Sequence, residues 1–171
     1  MSTEEALKYA NLKPAFFVQL DLADPKPVLS NKSLSEVIVM VEGGYSKTLS
    51  PEYPFDLTID FGWDTLTTQT ASPETTALDC HLYAKTKDGK NVHITYTGVV
   101  VASEKQVDVI TNKSKGHAFE ESYVTMHPTV RVDEGVEAES WITKKNLLGR
   151  GRFTRNSEGK LGIDYYVYVL E

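Results

Sequence analysis

The chain has 171 residues and a formal net charge of -6, with a sequence pI of about 5.3. This length suits one domain, so we expect a single domain over residues 1–171. Nucleic acids and anionic membrane surfaces bind clustered lysine and arginine, so the acidic balance argues against both as partners. Cys80 is the one cysteine in the sequence, which excludes an internal disulfide.

The first residues predict a short helix. The run Ser2-Thr3-Glu4-Glu5 has the pattern of a capping box, and Pro14 prevents much continuation. We therefore expect a helical extension over residues 1–13. The segment has neither a basic region nor an apolar run, and no stretch approaches the roughly 20 apolar residues of a membrane-spanning helix. The expected location is the cytoplasm.

Alternation with a period of two then predicts strands. It runs through residues 16–22, through Phe55-Asp56-Leu57-Thr58-Ile59-Asp60-Phe61 and through residues 162–170. In the second of these runs, Phe61 falls on the apolar face that packs against a core. In the third run, Tyr165 shares its face with aliphatic residues.

Weaker patterns fill the rest of the chain. Further strands are predicted over residues 36–41, 65–70, 122–132, 141–143 and 147–154, with an edge or bulge at Pro128. Loops are predicted from Pro25 onward and over residues 103–118. Roughly nine or ten short strands without βαβ spacing indicate an all-β fold. Closure removes exposed strand edges, so we expect a single antiparallel β-barrel with a short N-terminal helix.

The hairpin around Asp88-Gly89 has the clearest local pattern. A three-residue loop with Gly89 in the left-handed region pairs Leu82 with Ile94 and Tyr83 with His93. A two-residue loop would mix apolar and polar residues on each face. The sequence therefore predicts the longer loop.

The polar row of this hairpin is the strongest candidate site. Asp79, His81 and His93 are candidate catalytic residues for acid–base chemistry, and Tyr83 is a candidate ligand-binding donor. The alternative is that the row forms the solvated outer face of the sheet. The pattern leaves both directions open.

Five further residues are candidate ligand-binding groups. Asp64 follows an alternating strand, where it acts as a base or starts a turn, while Trp63 contacts a ligand or fills the core. Tyr123 and His127 form a second wall of the same cavity, or His127 ends an irregular edge strand. Trp141 stacks on a ligand or packs the end of the barrel.

Metal and cofactor chemistry have little support in the sequence. His81 and His93 lie on adjacent strands, but no histidine or cysteine motif with metal-ligand spacing is present. Cys80 lies on the apolar row, which indicates an inert core residue. We expect no metal site and no cofactor.

The order of several short motifs resembles the domain-of-unknown-function 3237 family, whose members are uncharacterised small β-barrel proteins of bacteria and fungi. The similarity runs from about Phe16 to Tyr168, and its motifs are Gly43-Gly44, Gly62-Trp63-Asp64, Leu78-Asp79 with Tyr83, Asp88-Gly89, Gly98, Tyr123 with Pro128, Trp141 and Gly149-Arg150-Gly151. The resemblance implies a barrel with a central cavity and assembly into a homo-oligomer. The chain departs from the family pattern at His81 and over Tyr123-Val124-Thr125-Met126, where the family tends to carry arginine.

Three functions are consistent with these features. The first is the binding of a small organic ligand in a central cavity of the barrel. The second is a cofactor-independent isomerase, cyclase or hydrolase that uses the histidine, aspartate and tyrosine groups of that cavity. The third is an oligomeric interaction protein with a packed barrel.

Overall fold

The computed structural model describes residue 5 and residues 10–171, and these residues form a closed antiparallel β-barrel. Its strands are β1 (Leu12–Leu22), β2 (Lys26–Ser30), β3 (Leu34–Thr48), β4 (Leu57–Gln69), β5 (Thr75–Thr86), β6 (Asn91–Val101), β7 (Tyr123–Val132), β8 (Leu147–Arg155) and β9 (Leu161–Leu170). Eight of them follow the order β1-β9-β8-β7-β6-β5-β4-β3, and β3 pairs with β1 to close the ring. β2 pairs with one end of β3. The predicted all-β barrel is confirmed.

Four predictions of secondary structure are corrected. The loop expected from Pro25 onward contains β2, and the loop expected over residues 103–118 contains helix α1 (Glu104–Ile110). Ser103 caps this helix, because its side chain accepts a hydrogen bond from the Gln106 N–H. The strand expected over residues 141–143 is a 3-10 helix, Ser140–Lys144.

The fourth correction concerns the start of the barrel. Strand β1 begins at Leu12, so the last two residues of the expected helical extension, Leu12 and Lys13, pair with β9 instead. Most of the predicted helix lies outside the described residues. Among the described residues, no helix has the length and apolar character that crossing a bilayer requires.

The hairpin of β5 and β6 has the predicted register. Leu82 pairs with Ile94 and Tyr83 with His93, and Gly89 adopts a φ of 79° in the connecting turn. Apolar side chains of both strands face the barrel interior, as the alternation indicated. Since the side-chain period is two, this register also fixes the direction of the polar row.

Aromatic side chains close one end of the barrel. Phe16 and Phe55 pack with ring centroids 4.4 Å apart, and Tyr53 and Trp141 pack at 4.9 Å. The Trp141 Nε1–H donates a hydrogen bond of 2.8 Å to the Pro54 carbonyl oxygen. This hydrogen bond satisfies the polar end of the partly buried indole. We call the group Phe16, Tyr53, Phe55 and Trp141 the aromatic plug.

A β-bulge in β4 changes which residues face inward. Ile59 pairs with Ala84 and Phe61 pairs with Tyr83, so Asp60 is one residue too many for β5. Asp60 and Phe61 both point outward, and Phe61 is 52% exposed instead of lying on the inner face as its alternation predicted. A bulge of this kind reverses the alternation beyond it.

Beyond the bulge, Gly62 and Asp64 face the barrel interior while Trp63 faces out. Close packing holds this arrangement in place. A Cβ atom at Gly62 would lie 2.3 Å from the His81 carbonyl oxygen and 2.7 Å from the Leu82 side chain. The strands can approach this closely only because position 62 carries no side chain.

Candidate functional site

The polar row of the β5–β6 hairpin points away from the barrel. Asp79 and Tyr83 are exposed, and His81 and His93 are partly exposed on the outer face. The sequence left two directions open for this row. The structure has the outward one, so these residues do not line a central cavity. The catalytic roles expected for Asp79, His81 and His93 and the ligand-binding role expected for Tyr83 stay predictions.

Four of the outward side chains form, with Phe61, a continuous group of parallel rings that we call the outer ring stack: Phe61, Trp63, His81, Tyr83 and His93. The ring centroids of Tyr83 and His93 are 4.7 Å apart, and those of Trp63 and His81 are 4.9 Å apart. Phe61 stacks on Tyr83 at 5.0 Å. Burial, the neighbouring His81 and the charge of Arg131 lower the pKa of His93, so its imidazole favours the neutral form.

The remaining candidates lie at separate places. Tyr123 and His127 are exposed on β7, and the Arg150 guanidinium lies 4.9 Å from the Tyr123 ring centroid. Trp141 belongs to the aromatic plug. Of the candidate residues that the sequence suggested, Asp64 is the one whose side chain enters the barrel.

Asp64 lies in a small apolar cavity at the end of the barrel away from the aromatic plug. The cavity is lined by Leu22, Val39, Val41, Asp64, Leu66, Leu78, Tyr96, Phe153, Ile163 and Tyr165. The cavity has a volume of about 30 Å³, and the empty space in and around it, including adjoining solvent, is about 350 Å³. The cavity therefore has room for one or two water molecules, and a larger ligand would have to extend beyond it.

Two tyrosines share this cavity with the carboxyl group. The Tyr96 hydroxyl donates to Asp64 Oδ2 over 3.4 Å, and the Asp79 backbone N–H donates to Asp64 Oδ1 over 3.1 Å. The Tyr165 side chain is wholly buried, and its hydroxyl has no hydrogen-bond partner among the described residues. An unpaired buried hydroxyl costs free energy, which makes it an available donor for an incoming oxygen.

Burial raises the pKa values of the acid and of both phenols, but it leaves them in different protonation states near neutral pH. It raises the pKa of Asp64 to about 7 from the usual 3.8; repulsion from Asp79 adds to this, and the hydrogen bonds from Asp79 and Tyr96 oppose it. Burial also raises the pKa values of Tyr96 and Tyr165 well above 10. Near neutral pH, Asp64 can therefore exchange a proton, whereas the two phenols remain donors.

Cys80 and the histidines offer little alternative chemistry at this place. Cys80 is fully buried opposite Asp64 in the strand pairing, and burial raises the pKa of its thiol well above 9. A neutral thiol of this kind is a poor nucleophile. Within the described part of the chain, no three histidine, cysteine, aspartate or glutamate side chains converge in a way that could hold a metal ion.

Tyr96 and Tyr165 are not among the predicted site residues, although alternation in the sequence puts Tyr96 on one face with Val92 and Ile94, and Tyr165 on one face with Ile163 and Val167. A signal was present, because each tyrosine interrupts an otherwise aliphatic inner row. A phenol in such a row brings a hydroxyl that needs a partner. Two such rows that face one cavity identify a polar centre inside an apolar barrel.

Comparison with known proteins identifies the fold but no activity. The model of the family described as protein of unknown function (DUF3237) matches residues 10–170. No functionally curated protein matches the chain.

Several solved structures share the barrel. A conserved protein of unknown function from Rhodopseudomonas palustris has 15% identity and a TM-score of 0.75, with 95% of this chain and 98% of that chain covered. A β-barrel-like protein from Acinetobacter baumannii has 16% identity and a TM-score of 0.68, covering 95% and 96%. A protein described as an enzyme, from Penicillium herquei, has 16% identity and a TM-score of 0.60, covering 95% of each chain.

The buried Asp64 predicts a specific pH dependence of stability. Its pKa is about 7 in the folded state and near 3.8 when exposed, so the folded state holds a proton that the unfolded state releases between these values. The stabilisation from the neutral acid is complete below the unfolded pKa and is lost as the pH rises through the folded pKa. We expect the free energy of unfolding, relative to Asp64→Asn, to fall by roughly 4 kcal/mol between about pH 4 and about pH 8.

Urea denaturation of the wild type and Asp64→Asn across this range measures the difference. Asp79→Asn is the matched control, because the Asp79 side chain is 68% exposed and its loss should leave most of the pH dependence in place. A constant difference between the wild type and Asp64→Asn at all pH values would contradict the shifted pKa.

Proposed function

The chain belongs to the DUF3237 family of proteins of unknown function, and we propose that it binds a small organic molecule at the Asp64 end of its barrel. The supporting observation is the group of three polar side chains, Asp64, Tyr96 and Tyr165, in an otherwise apolar cavity. Binding sites for small molecules typically combine apolar walls with a few convergent polar groups.

The size of the cavity limits how a ligand can sit. The cavity volume of about 30 Å³ is enough for one polar group of a ligand to reach the tyrosine hydroxyls. The apolar body of the ligand then occupies the mouth beside Leu66, which is the one partly exposed residue of the lining. This arrangement places the polar group inside and the hydrocarbon part against aliphatic walls.

Filling the mouth tests this proposal. Leu66→Trp should occupy the space of the ligand body and weaken binding at least about tenfold, equivalent to about 1.4 kcal/mol. Thr67→Trp is the control, because it adds the same side chain on the neighbouring outward-facing position. The measurement is a thermal-shift screen of metabolites followed by titration calorimetry of each hit.

Variants of the outward-facing polar row test the alternative that the ligand binds outside the barrel. The double variant His81→Ala/His93→Ala leaves the cavity lining unchanged and should keep the dissociation constant within about twofold, which is under 0.5 kcal/mol. If this variant abolishes binding while Leu66→Trp has no effect, the ligand binds on the outer face and the proposal is wrong.

A second candidate function is self-association through the outer ring stack. Phe61 is 52% exposed and Tyr83 is 36% exposed, which is unusual for large aromatic groups on one contiguous surface. Charges of both signs border the stack, including the Asp60–Lys85 ion pair at 3.3 Å and Arg131. A two-fold interface places one patch against its own copy, so a border with both signs suits a homo-oligomer.

Sedimentation velocity tests self-association. We expect the wild type to dimerise and Phe61→Ser with Tyr83→Ser to shift the protein to monomer, by a loss of at least about tenfold in the association constant. Tyr45→Ser is the control, since Tyr45 is 45% exposed on β3 outside the stack. A wild type that stays monomeric at the highest concentrations reached would contradict this function. The cytoplasmic location stays a prediction.

A further inference from the structure

The geometry of the cavity indicates what kind of ligand atom it accepts. Three strands supply the polar groups: Asp64 comes from β4, Tyr96 from β6 and Tyr165 from β9. The rings of Tyr96 and Tyr165 lie 5.9 Å apart at an angle of 60°, so both hydroxyls belong to one small region. The contact between Tyr96 and Asp64, 3.4 Å, is longer than a strong hydrogen bond to a carboxylate, which leaves the Tyr96 hydroxyl free to turn to a ligand.

The residues that line the cavity further limit which chemical groups a ligand can place there. Both phenols stay protonated, so the ligand atom between them must accept hydrogen bonds. Among the described residues that line the cavity, none is lysine or arginine, so an anionic group would have no counter-ion there. A neutral carbonyl oxygen on an apolar molecule meets both conditions.

We infer that the Asp64 cavity transfers protons on a small apolar carbonyl compound, an inference that rests on the proposed function because it concerns the same cavity. The Asp64 carboxylate removes a proton from the carbon next to the carbonyl. The electron pair of that C–H bond forms a C=C bond, and the carbonyl π pair moves to oxygen, where the hydroxyls of Tyr96 and Tyr165 stabilise it. Protonated Asp64 then returns the proton to the same carbon or to a conjugated one.

The atoms and electrons balance without any co-reactant. The net change is exchange or isomerisation, with no oxidation and no leaving group. The titratable groups that face Asp64 inside the barrel are Cys80, Tyr96 and Tyr165, and Asp79 acts on it from the outer face through its charge and its backbone N–H. Their combined effect with burial leaves the carboxyl group near half-ionised at neutral pH, where a general base and its conjugate acid are both available.

Hydrogen exchange in D₂O measures this reaction directly. Proton NMR follows the loss of α-hydrogen signal from cyclohexanone, 2-cyclohexenone and 2-tetralone in the presence of the full chain. We expect exchange above the buffer rate for at least one ketone, increasing with pH as Asp64 ionises. Asp64→Asn should lower the rate by at least about 100-fold, and Tyr96→Phe and Tyr165→Phe by about 100-fold each.

Tyr45→Phe is the matched control for the tyrosine variants, because Tyr45 is 45% exposed on β3 and the change removes the same hydroxyl without touching the cavity. It should leave the exchange rate unchanged. Circular dichroism and the melting temperature of each variant show whether a loss of rate follows from a loss of fold.

A second measurement separates proton transfer from binding. The probe is 2-naphthol, a planar aromatic alcohol whose oxygen resembles that of an enol. Asp64→Asn carries a neutral amide that imitates the protonated acid, so it should bind 2-naphthol at least as tightly as the wild type does, by fluorescence titration. A merely structural role for Asp64 would instead weaken binding in this variant.

The outcomes distinguish the two proposals. If the ketones or 2-naphthol bind and Leu66→Trp blocks them, but no ketone exchanges hydrogen above the buffer rate, the inference is overturned and the proposed function stands. If neither the ketones nor 2-naphthol bind and no metabolite is found, both are overturned. Exchange that survives in Asp64→Asn would also overturn the inference.

Discussion

One extra residue in β4 decides what the barrel contains. Side chains of a strand alternate between its faces, and a bulge that leaves two consecutive side chains on the outer face shifts this alternation by one residue from that point on. Asp60 is the extra residue, since it has no partner on β5. If the same sequence alternated through this region without a bulge, Trp63 would point into the barrel and Asp64 into solvent. The bulge therefore creates the polar centre of an otherwise apolar interior.

Burial of the Asp64 carboxyl group lowers the stability of the folded state. A carboxyl group in an apolar cavity loses the hydration that would stabilise its charge, which is the cause of its raised pKa. Val39 faces Asp64 across the β3–β4 pairing, and Cys80 does so across β4–β5, so no neighbouring strand pairs it with a cation. An aliphatic side chain at position 64 would avoid this cost. Groups that reduce stability in this way cluster at sites of binding and catalysis, which is the reason for placing the function here.

The two ends of the barrel differ, since one is closed by aromatic side chains and the other contains the cavity. Phe16, Tyr53, Phe55 and Trp141 close one end, and the Trp141 indole is fixed by its hydrogen bond to the Pro54 carbonyl. The cavity lies at the opposite end. Eight-stranded barrels have just enough interior for side chains or one small ligand, and this chain fills most of that space itself. In the proposed function, a ligand therefore enters from the end opposite the aromatic plug.

The sequence was sufficient for the hairpin and for the class of fold. The turn at Asp88-Gly89 and the alternation on both sides of it specified the pairing of Leu82 with Ile94, and the structure has that pairing. The position of Asp64 was not predictable in the same way. Phe61 continues the apolar alternation of its strand, so the pattern gave no sign that a bulge precedes Gly62.

The same limit applies to the polar row. Periodicity showed that Asp79, His81, Tyr83 and His93 share a face, but the hairpin alone does not say which face is covered by other strands. Burial of Leu82 and Ile94 settles the direction only after the barrel has closed. Alternation puts Tyr96 and Tyr165 each on one face with aliphatic residues, yet their meeting point depends on strands far apart in the chain. Long-range pairing of this kind is set by tertiary contacts.

The titration of the Asp64 carboxyl group measures whether this group is buried inside the barrel. Carbon-13 NMR of aspartate-labelled protein, assigned by comparison with Asp64→Asn, follows the side-chain carboxyl signal as the pH is changed. A midpoint near 7 is the expected result, because the group lies inside the barrel beyond the bulge. A midpoint near the usual value of about 4 would show a solvated carboxylate and would contradict both the bulge-directed burial and the site built on it.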